Sequence, residues 1–512
     1  MNRWIYIMLL LVWFQSFSIQ TSAQTQEATV ELKIRNPESV YSAIDQYENY
    51  VFVFKSSSHI QFSFFTQTHQ TNGNITIAIP SAHKKDDILG VQLKGEICTV
   101  YLHNTNKMTV SEIILNRTNG ENSTRPLAQM DYPDKFLTSV LQNQEFYVLT
   151  VPQGKNQIDI WSSKDNVFER ATYTIADMPD LYKRLSFGNS ELNEETTSAV
   201  GIDKVYYDNE NNVKSAQASK KLYTIGNSIF LTFDDPELTH LIEINLVTKT
   251  ATYKQLQFTL DKGNTSSKKQ GNSFLYYNSL FRATMSMDQL NIAIVQLDSL
   301  KLLANYNAYP GVPMTFKNGP IIQEGSTDKQ KIIDDNNVYF KKVLGSHLSI
   351  AANKKDSLYV LEVGGYEEYT NNNGYRPMNS GPSMSIGMGM GMGIGMGGMG
   401  MGMGGMGGGY PMGGYGMGMP GYYGGYPGYY PYNSYTTTIR TVYFHSLLDS
   451  ASLDHEPGIV PITLRERVSN FQSVMFKDKD PTLIRIVDRK NEILIGFLMP
   501  NKTTFRTYSF GK

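Results

Sequence analysis

Cysteine is nearly absent from this chain of 512 residues, which contains a single one, Cys98. An intramolecular disulfide is therefore excluded, and a chain of this length can rely on an apolar core instead. Cys98 lies in the run Glu96-Ile-Cys-Thr-Val-Tyr101, so we predict a buried strand residue and not a nucleophile. No cysteine lies directly after the N-terminal apolar segment, which excludes lipid attachment at a bacterial lipobox.

The chain also lacks an excess of charge of either sign. Its 46 Lys and Arg oppose 47 Asp and Glu, for a net charge of -1. A surface without a basic field does not attract nucleic acid or an anionic membrane, and both are excluded as partners. After the N-terminal segment no run predicts a membrane span, because residues 386–406 are weakly apolar and rich in glycine.

Sequence motifs for catalysis and metal binding are missing as well. None of the eight histidines forms a His-x-x-x-His or His-Glu-x-x-His pair, and His59 and His69 are predicted in solvated turns. There is no Gly-x-Ser-x-Gly, and we interpret Gly226-Asn-Ser228 and Gly271-Asn-Ser273 as turns. The paired carboxylates of a glycosidase stay open as an alternative, since acids far apart in sequence can supply them.

The N-terminal segment 1–23 has the features of a secretory signal peptide. Arg3 provides a positive start, residues 5–14 are apolar, and Thr21-Ser22-Ala23 is a small-residue cleavage site. The mature chain is expected to begin at Gln24, with an uncleaved anchor as the alternative. The signal ending and the lack of disulfides resemble exported proteins of Gram-negative bacteria. We therefore expect a periplasmic, cell-surface or extracellular protein.

Short β-rich runs separated by Asn, Asp, Gly or Ser dominate the rest of the sequence, and helical periodicity is nearly absent. An Asn72-Gly73 turn predicts a hairpin that leads into Ile75. Residues 222–258 predict four consecutive antiparallel strands, and residues 274–306 repeat that layout about 50 residues later. A sixth group begins near Val338, and a seventh runs from about Val468 to Phe510.

Seven groups of about four strands resemble a β-propeller, in which small sheets that cannot bury their own faces stack around an axis. The resemblance rests on strand layout and implies one domain over residues 24–510. The alternative is two packed β-sandwich domains, with the polar segment 177–216 as an excursion or a boundary. Propellers commonly close with strands from both termini, so we predict residues 29–35 and 504–510 in the same or adjacent blades.

A low-complexity insertion occupies residues 381–435. It holds 12 of the 23 Met, 23 of the 43 Gly and nine Tyr, and it has no charged residue or histidine. This composition predicts a long disordered loop in a late blade. Its aromatic half resembles glycine-tyrosine segments of surface and adhesive proteins, and flexible Met and Tyr side chains suit an adaptable apolar contact. The predicted contact residues are Tyr422, Tyr423, Tyr429 and Tyr430.

The methionines of this insertion also resemble the Met-rich segments of copper-handling proteins. Thioethers are soft ligands that suit Cu(I). The alternative metal ligands are Met388, Met390, Met392, Met399, Met401 and Met403. No cofactor is otherwise expected. The sequence predicts a non-catalytic binding or scaffolding protein whose partner is a protein or polysaccharide of the cell envelope, with a carbohydrate-acting enzyme and soft-metal handling as alternatives.

Overall fold

The computed structural model of the chain describes residues 26–104, 106–131, 134–164, 167–178, 181–186, 202–206, 210–260, 268–325, 330–370, 437–476, 481 and 483–511. These residues form seven sheets of four or five strands, and all but one of the neighbouring strand pairs are antiparallel. Seven such sheets packed in succession are the blades of a β-propeller. The predicted all-β propeller is therefore confirmed, and the alternative of two sandwiches is not what the chain forms.

Strand β1 (Gln26–Glu31) belongs to the last blade, and the first three blades follow it in the chain. Blade 1 consists of β2 (Ser39–Ile44), β3 (Tyr50–Lys55), β4 (His59–Phe65) and β5 (Thr71–Ala78). Blade 2 consists of β6 (Asp87–Lys94), β7 (Ile97–Asn104), β8 (Thr109–Asn116) and β9 (Asn122–Gln129). Blade 3 consists of β10 (Lys135–Gln142), β11 (Glu145–Val151), β12 (Gln157–Lys164) and β13 (Val167–Thr174).

Blades 4 and 5 contain the two predicted four-strand units, which are confirmed. Blade 4 consists of β14 (Asp203–Lys204), β15 (Lys220–Ile225), β16 (Ser228–Asp234), β17 (Leu238–Asn245) and β18 (Thr250–Gln257). Blade 5 consists of β19 (Gln270–Tyr276), β20 (Ser279–Met285), β21 (Leu290–Gln296) and β22 (Leu302–Ala308). The additional strand β14 runs parallel to β15.

The last two blades each take an outer strand from earlier in the chain. Blade 6 has the order β24-β23-β27-β26-β25, and blade 7 has the order β1-β30-β29-β28. Their strands are β23 (Asn318–Glu324), β24 (Lys331–Ile333), β25 (His347–Lys355), β26 (Leu358–Thr370), β27 (Thr437–Asp449), β28 (Ile484–Asp488), β29 (Glu492–Leu498) and β30 (Thr504–Gly511).

Three α-helices and a 3-10 turn connect these strands in the described part of the chain. They are the 3-10 turn Ser81–His83, α1 (Leu181–Ser186), α2 (Asn336–Leu344) and α3 (Leu464–Met475). Helix α3 begins with a capping box, in which Thr463 and Glu466 satisfy each other's backbone N–H groups. It packs its apolar side on blade 7 through Val468 and Phe471. The predicted starts of groups six and seven were wrong, since Val338 and Val468 lie in helices.

The apolar runs without alternation reflect burial on both faces of a blade. In β3, Val51 and Val53 pack in the core shared with blade 2, whereas Phe52 and Phe54 pack in the core shared with blade 7. Since side chains alternate across a strand, a strand between two neighbouring blades needs apolar residues at every position. Cys98 is buried in the first of these cores, as predicted.

Strands from both ends of the chain close the ring, as predicted. Strand β1 pairs antiparallel with β30, with Val30 opposite Phe505 and Glu31 opposite Thr504. Val30 also joins an apolar core that includes Phe52 of blade 1 and Phe505 of blade 7. Strand β1 is therefore joined to blade 7 by backbone hydrogen bonds and to blade 1 by side-chain packing.

A polar cluster at the seam between blades 7 and 1 shows that His69 is not in a solvated turn. The Nδ1 atom of His69 is 3.0 Å from the Tyr50 hydroxyl, and its Nε2 atom is 3.2 Å from Glu492. Arg489 donates to the carbonyl of Gln67 at 2.7 Å and contacts Glu492. These contacts pair a turn of blade 1 with the first hairpin of blade 7.

Two other turn predictions were wrong. Asn72 and Gly73 lie inside β5, where the strand register shifts, and the turn falls at residues 66–70. Gly271 lies inside β19, and the backbone and hydroxyl of Ser273 both donate to Asp234 of blade 4. Small polar residues that pair across blades were interpreted as turn residues because single-sequence patterns do not distinguish the two. Gly226 lies in a turn as predicted, with a φ of 57°.

Candidate functional site

A cavity of about 320 Å³ lies where the first strands of five blades converge. Residues of β2, β6, β10, β15 and β28 line it, together with β14 and the turn after β10. Because these are the first strands of their blades, the cavity lies on the propeller axis. Its volume lies at the lower end of the range of small-molecule sites, roughly 300–1,000 Å³.

Strand β14 brings a cation to this axis. Lys204 lies opposite Leu222 of β15 in the parallel ladder, so the chain adds a strand inside the first strand of blade 4. Val205 is buried next to it, whereas Tyr206 is 40% exposed and also lines the cavity. Lys204 itself is also one of the residues that line the cavity.

The chain after β14 ties the axial segment to blade 6. The backbone N–H of Val213 donates to Glu362 of β26 at 2.8 Å, and that of Asn211 donates to Asn353 of β25 at 2.6 Å. Glu362 is also 3.4 Å from His445, whose pKa is raised because the Glu362 carboxylate outweighs the opposing effect of burial. These contacts hold residues 211–213 against the inner part of the ring.

A second cation reaches the cavity from the closing blade. Arg485 lies in β28, and its Nε donates to the Ser42 hydroxyl of β2 at 2.8 Å. Ser42 lies in blade 1, so this hydrogen bond fixes the guanidinium across the seam of the ring. The guanidinium makes no ion pair with a carboxylate among the described residues.

The surroundings of the cavity disfavour the protonated forms of both Lys204 and Arg485. Burial lowers the pKa of Lys204 to about 8, and the positive charge of Arg485 lowers it further in the same direction. Burial also lowers the pKa of Arg485, while the phenols of Tyr206 and Tyr41 oppose that effect. The lining residues in the described part of the chain include no Asp or Glu. The carboxylates of the alternative glycosidase are therefore not among the described residues that line this cavity.

Sequence reasoning missed Lys204 and Arg485. Lys204 lies in a polar segment of no clear period, and only the parallel pairing with β15 brings it to the axis. Arg485 carried a weak signal, because it interrupts the apolar pair Ile484 and Ile486 in a strand that was predicted. A cation within an inner strand is unusual and therefore points to a specific role. The position of either residue relative to the axis, however, cannot be deduced from sequence spacing.

A second feature projects from blade 6. Strands β26 and β27 pair from Leu358–Asp449 to Thr370–Thr437. Their neighbours stop earlier, since β25 reaches only Tyr366 and β23 reaches only Thr441. The pairs from Glu367–Arg440 to Thr370–Thr437 therefore form a two-stranded arm, roughly 13 Å long at ~3.3 Å per residue.

The predicted contact and metal residues all lie outside the described residues, which resume at Thr437 after Thr370. This applies to Tyr422, Tyr423, Tyr429 and Tyr430 and to Met388, Met390, Met392, Met399, Met401 and Met403. The signal segment 1–23 lies outside them too. Within the described residues, no group of three or more His, Cys, Asp or Glu side chains could hold a metal ion. None of the helices described has the length and apolar character that a bilayer crossing requires.

Deleting residues 381–435 and joining the arm with a short Gly/Ser linker should leave thermal stability nearly unchanged. A loop that long adds only about 2 kcal/mol of closure entropy relative to a short one, and the blade ladders on either side stay intact. Differential scanning calorimetry of the two proteins tests this. A fall in melting temperature of more than ~5 °C would show that the tract packs on the blades.

Comparison with known proteins supports no family assignment. No protein-family model and no curated protein matches the sequence. Similar solved structures include the Dos1 propeller, with 6% identity, a TM-score of 0.33 and 96% of each chain covered. A Lactobacillus plantarum protein is 11% identical, with a TM-score of 0.28, over 65% of this chain and 82% of that one.

A further similar structure is cobalt-substituted ACO of Synechocystis, with 8% identity and a TM-score of 0.29 over 53% of this chain. The present chain spans 62% of the length of that protein. Identities this low concern the fold alone. The assignment to the class of seven-bladed propellers rests on the strand order and on ring closure.

Proposed function

We propose that this chain is an exported, non-catalytic binding module. It presents residues 381–435 from the arm of blade 6 to a protein or polysaccharide of the cell envelope. The observation that supports this proposal is the arm itself, because strands β26 and β27 continue beyond both neighbouring strands on either side of the segment 371–436, which contains the insertion. A two-stranded ladder without neighbours is marginally stable, so its extension has a purpose other than stabilising the blade.

The arm also carries an ion pair across its two strands. Arg440 and Glu367 approach to 3.7 Å where the ladder leaves the blade. Both side chains are partly exposed, so the pair contributes little to stability. It lies at the first pair of the arm, so the base of the arm presents charged side chains.

Changing Tyr422, Tyr423, Tyr429 and Tyr430 together to Ser should weaken association with envelope material roughly tenfold, because aromatic rings provide large contact area at low rotamer cost. The measurement is co-sedimentation of the full chain with peptidoglycan sacculi and with outer-membrane vesicles of a Gram-negative bacterium. The matched control changes the same four residues to Phe, which keeps the rings. Equal sedimentation of the wild type and the Ser variant would contradict the proposal.

Changing Met388, Met390, Met392, Met399, Met401 and Met403 to Leu distinguishes the binding module from copper handling. Leu keeps the apolar bulk and removes the thioether. We expect the Leu variant to co-sediment like the wild type. A Cu(I) competition assay on both proteins completes the test, and tight stoichiometric uptake that the Leu variant loses would favour the metal function instead.

The carbohydrate-acting enzyme is the second candidate, and we do not favour it. Glycoside hydrolysis uses two carboxyl groups on either side of the scissile bond. The described lining of the axial cavity offers Lys204 and Arg485 in their place. Two cations stabilise a bound anion, but they do not provide the pair of carboxyl groups, one as acid and one as base or nucleophile, that the hydrolysis uses.

A further inference from the structure

The axial cavity has a charge that the described protein does not balance. Lys204 and Arg485 line it from different blades, and the positive charge of Arg485 adds to burial in lowering the pKa of Lys204. Both residues are partly buried, and a cation that loses part of its hydration is destabilised unless a partner compensates it. For both residues the described lining provides hydroxyl and amide groups and no carboxylate.

The guanidinium of Arg485 is oriented before any ligand arrives. Its Nε is occupied by the Ser42 hydroxyl at 2.8 Å, and the Ser42 hydroxyl is 3.4 Å from the carbonyl of Ile486. The two Nη groups make no hydrogen bond to the described residues. A guanidinium anchored through Nε presents its Nη groups as a fork, which matches the oxygens of a carboxylate or phosphate.

The remaining lining restricts the size and character of the ligand. Leu89, Val140 and Leu222 contribute an apolar wall, and Thr224 lines the same space. The cavity volume of about 320 Å³ far exceeds the ~10–15 Å³ that one water molecule needs, so it has room for an organic molecule. The exposed Tyr206 at its wall places part of that wall at the protein surface, which gives a small molecule a route in.

We propose that the axial cavity binds a small organic anion, whose phosphate or carboxylate group lies between Lys204 and Arg485. The anion supplies the missing negative charge, and the apolar and hydroxyl-bearing wall contacts the rest of the molecule. This site is separate from the insertion of blade 6, so its failure and that of the proposed envelope binding are distinguishable. Deletion of residues 381–435 should leave anion binding unchanged.

The test uses glucose 6-phosphate, glucuronate and neutral glucose as probes that share one sugar ring, with isothermal titration calorimetry and thermal shift on the full chain. We expect at least one of the two anions to bind at least tenfold more tightly than glucose and to raise the melting temperature in a concentration-dependent way. The anion that binds more tightly assigns the group as phosphate or carboxylate. Equal binding of all three probes, or of none, would overturn the proposal.

Lys204→Met and Arg485→Met distinguish a ligand site from a structural pair of cations. Each change removes one of two like charges and keeps much of the side-chain bulk. The melting temperature without ligand should stay equal or rise in Lys204→Met, and it should fall slightly in Arg485→Met, which also loses the hydrogen bond to Ser42. The apparent affinity for the anion should fall at least tenfold, and the anion-dependent rise in melting temperature should shrink accordingly. Lys94→Met, at the exposed end of β6, is the matched control and should behave like the wild type. A melting temperature that falls in both cavity variants with anion binding retained would overturn the proposal.

The pH dependence gives an independent readout. Lys204 has a pKa of about 8, and the charged or titratable groups facing it are Arg485 and the phenols of Tyr41 and Tyr206. Glucuronate keeps its charge between pH 7 and 9, so its affinity should fall up to roughly tenfold as Lys204 loses its proton. In Lys204→Met the affinity should be lower and flat over the same range. An unchanged wild-type affinity from pH 7 to 9 would remove Lys204 from the site.

Discussion

Replacing Asp234 by Asn should lower the free energy of unfolding by about 3–5 kcal/mol, the range for breaking a buried ion pair on one side. Asp234 is fully buried, and its carboxylate accepts from Arg282 Nη1 at 2.6 Å and from Lys221 Nζ at 3.2 Å. Burial favours the neutral acid, but the two cations and the Ser273 hydrogen bonds outweigh it and hold the pKa below its ordinary value. Asn keeps the shape and removes the carboxylate that pairs directly with both cations.

The location of this cluster makes the effect larger than that of a single lost contact. Lys221 and Asp234 belong to blade 4, whereas Ser273 and Arg282 belong to blade 5. The carboxylate therefore joins two blades through side chains that are shielded from solvent, so water cannot replace the lost contacts. Gly271 is part of the same arrangement, because a β-carbon there would overlap the guanidinium of Arg282.

Urea unfolding followed by circular dichroism measures the change, and the isosteric control is Glu96→Gln. Glu96 pairs with Arg117 at 2.7 Å on the surface of blade 2, where exposure limits the contribution of a pair to about 0–1 kcal/mol. Gly271→Ala should be destabilising as well, since the guanidinium has to move. If Asp234→Asn costs no more than Glu96→Gln, the buried cluster does not hold the two blades together.

Removing the closing strand should have an effect of similar size. Deletion of residues 26–34 removes the buried side chains of Val30, Leu32 and Ile34 from the seam between blades 7 and 1. At roughly 1.5–3 kcal/mol for each fully buried aliphatic side chain, about 5 kcal/mol or more of stability is lost. The deletion also leaves β30 as an unpaired edge, so we expect concentration-dependent association.

Thermal unfolding and light scattering after size exclusion measure both consequences. Val30→Lys is the point variant, because the Val30 side chain faces the core, and Thr29→Lys is its control on the exposed side of the same strand. We expect Val30→Lys to lose much of the stability that pairing and packing of β1 provide, and we expect Thr29→Lys to behave like the wild type. A deletion variant that stays monomeric with an unchanged melting temperature would show that the ring does not depend on β1.

The blade pattern could be predicted from sequence because it depends on local chemistry. Alternating or continuous apolar runs between polar turns identified blades 4 and 5, and the run at Tyr50–Phe54 reflects packing on two sides. The start of α3 carried a readable signal that the β pattern concealed, since Thr463 and Glu466 have the spacing of a capping box. Val468 was assigned to a strand because its apolar neighbours were counted without that signal.

The site could not be predicted because it depends on which residues meet across the ring. Lys204 and Arg485 are far apart in the chain, and only closure by β1 and the parallel pairing of β14 bring both to the axis. Gly271 and Ser273 were misread for the same reason, since their partners Arg282 and Asp234 lie on other strands or another blade. The residue pattern of a strand shows which of its side chains are buried, but it does not show which residues of other strands or blades those side chains contact.

The closing ladder also has a consequence for how the chain reaches its native state. Glu31 and Thr504 meet across 473 residues, and β1 is synthesised long before β30 exists. Contacts of such high sequence separation form late, so the first six blades can fold while β1 waits and blade 7 completes the ring last. Meanwhile β1 is a solitary strand of six residues, of which Glu27 and Glu31 carry like charges that oppose premature pairing with another copy. Refolding experiments should then show a slow final phase in which the apolar seam between the first and last blades becomes protected from hydrogen exchange after the rest of the ring.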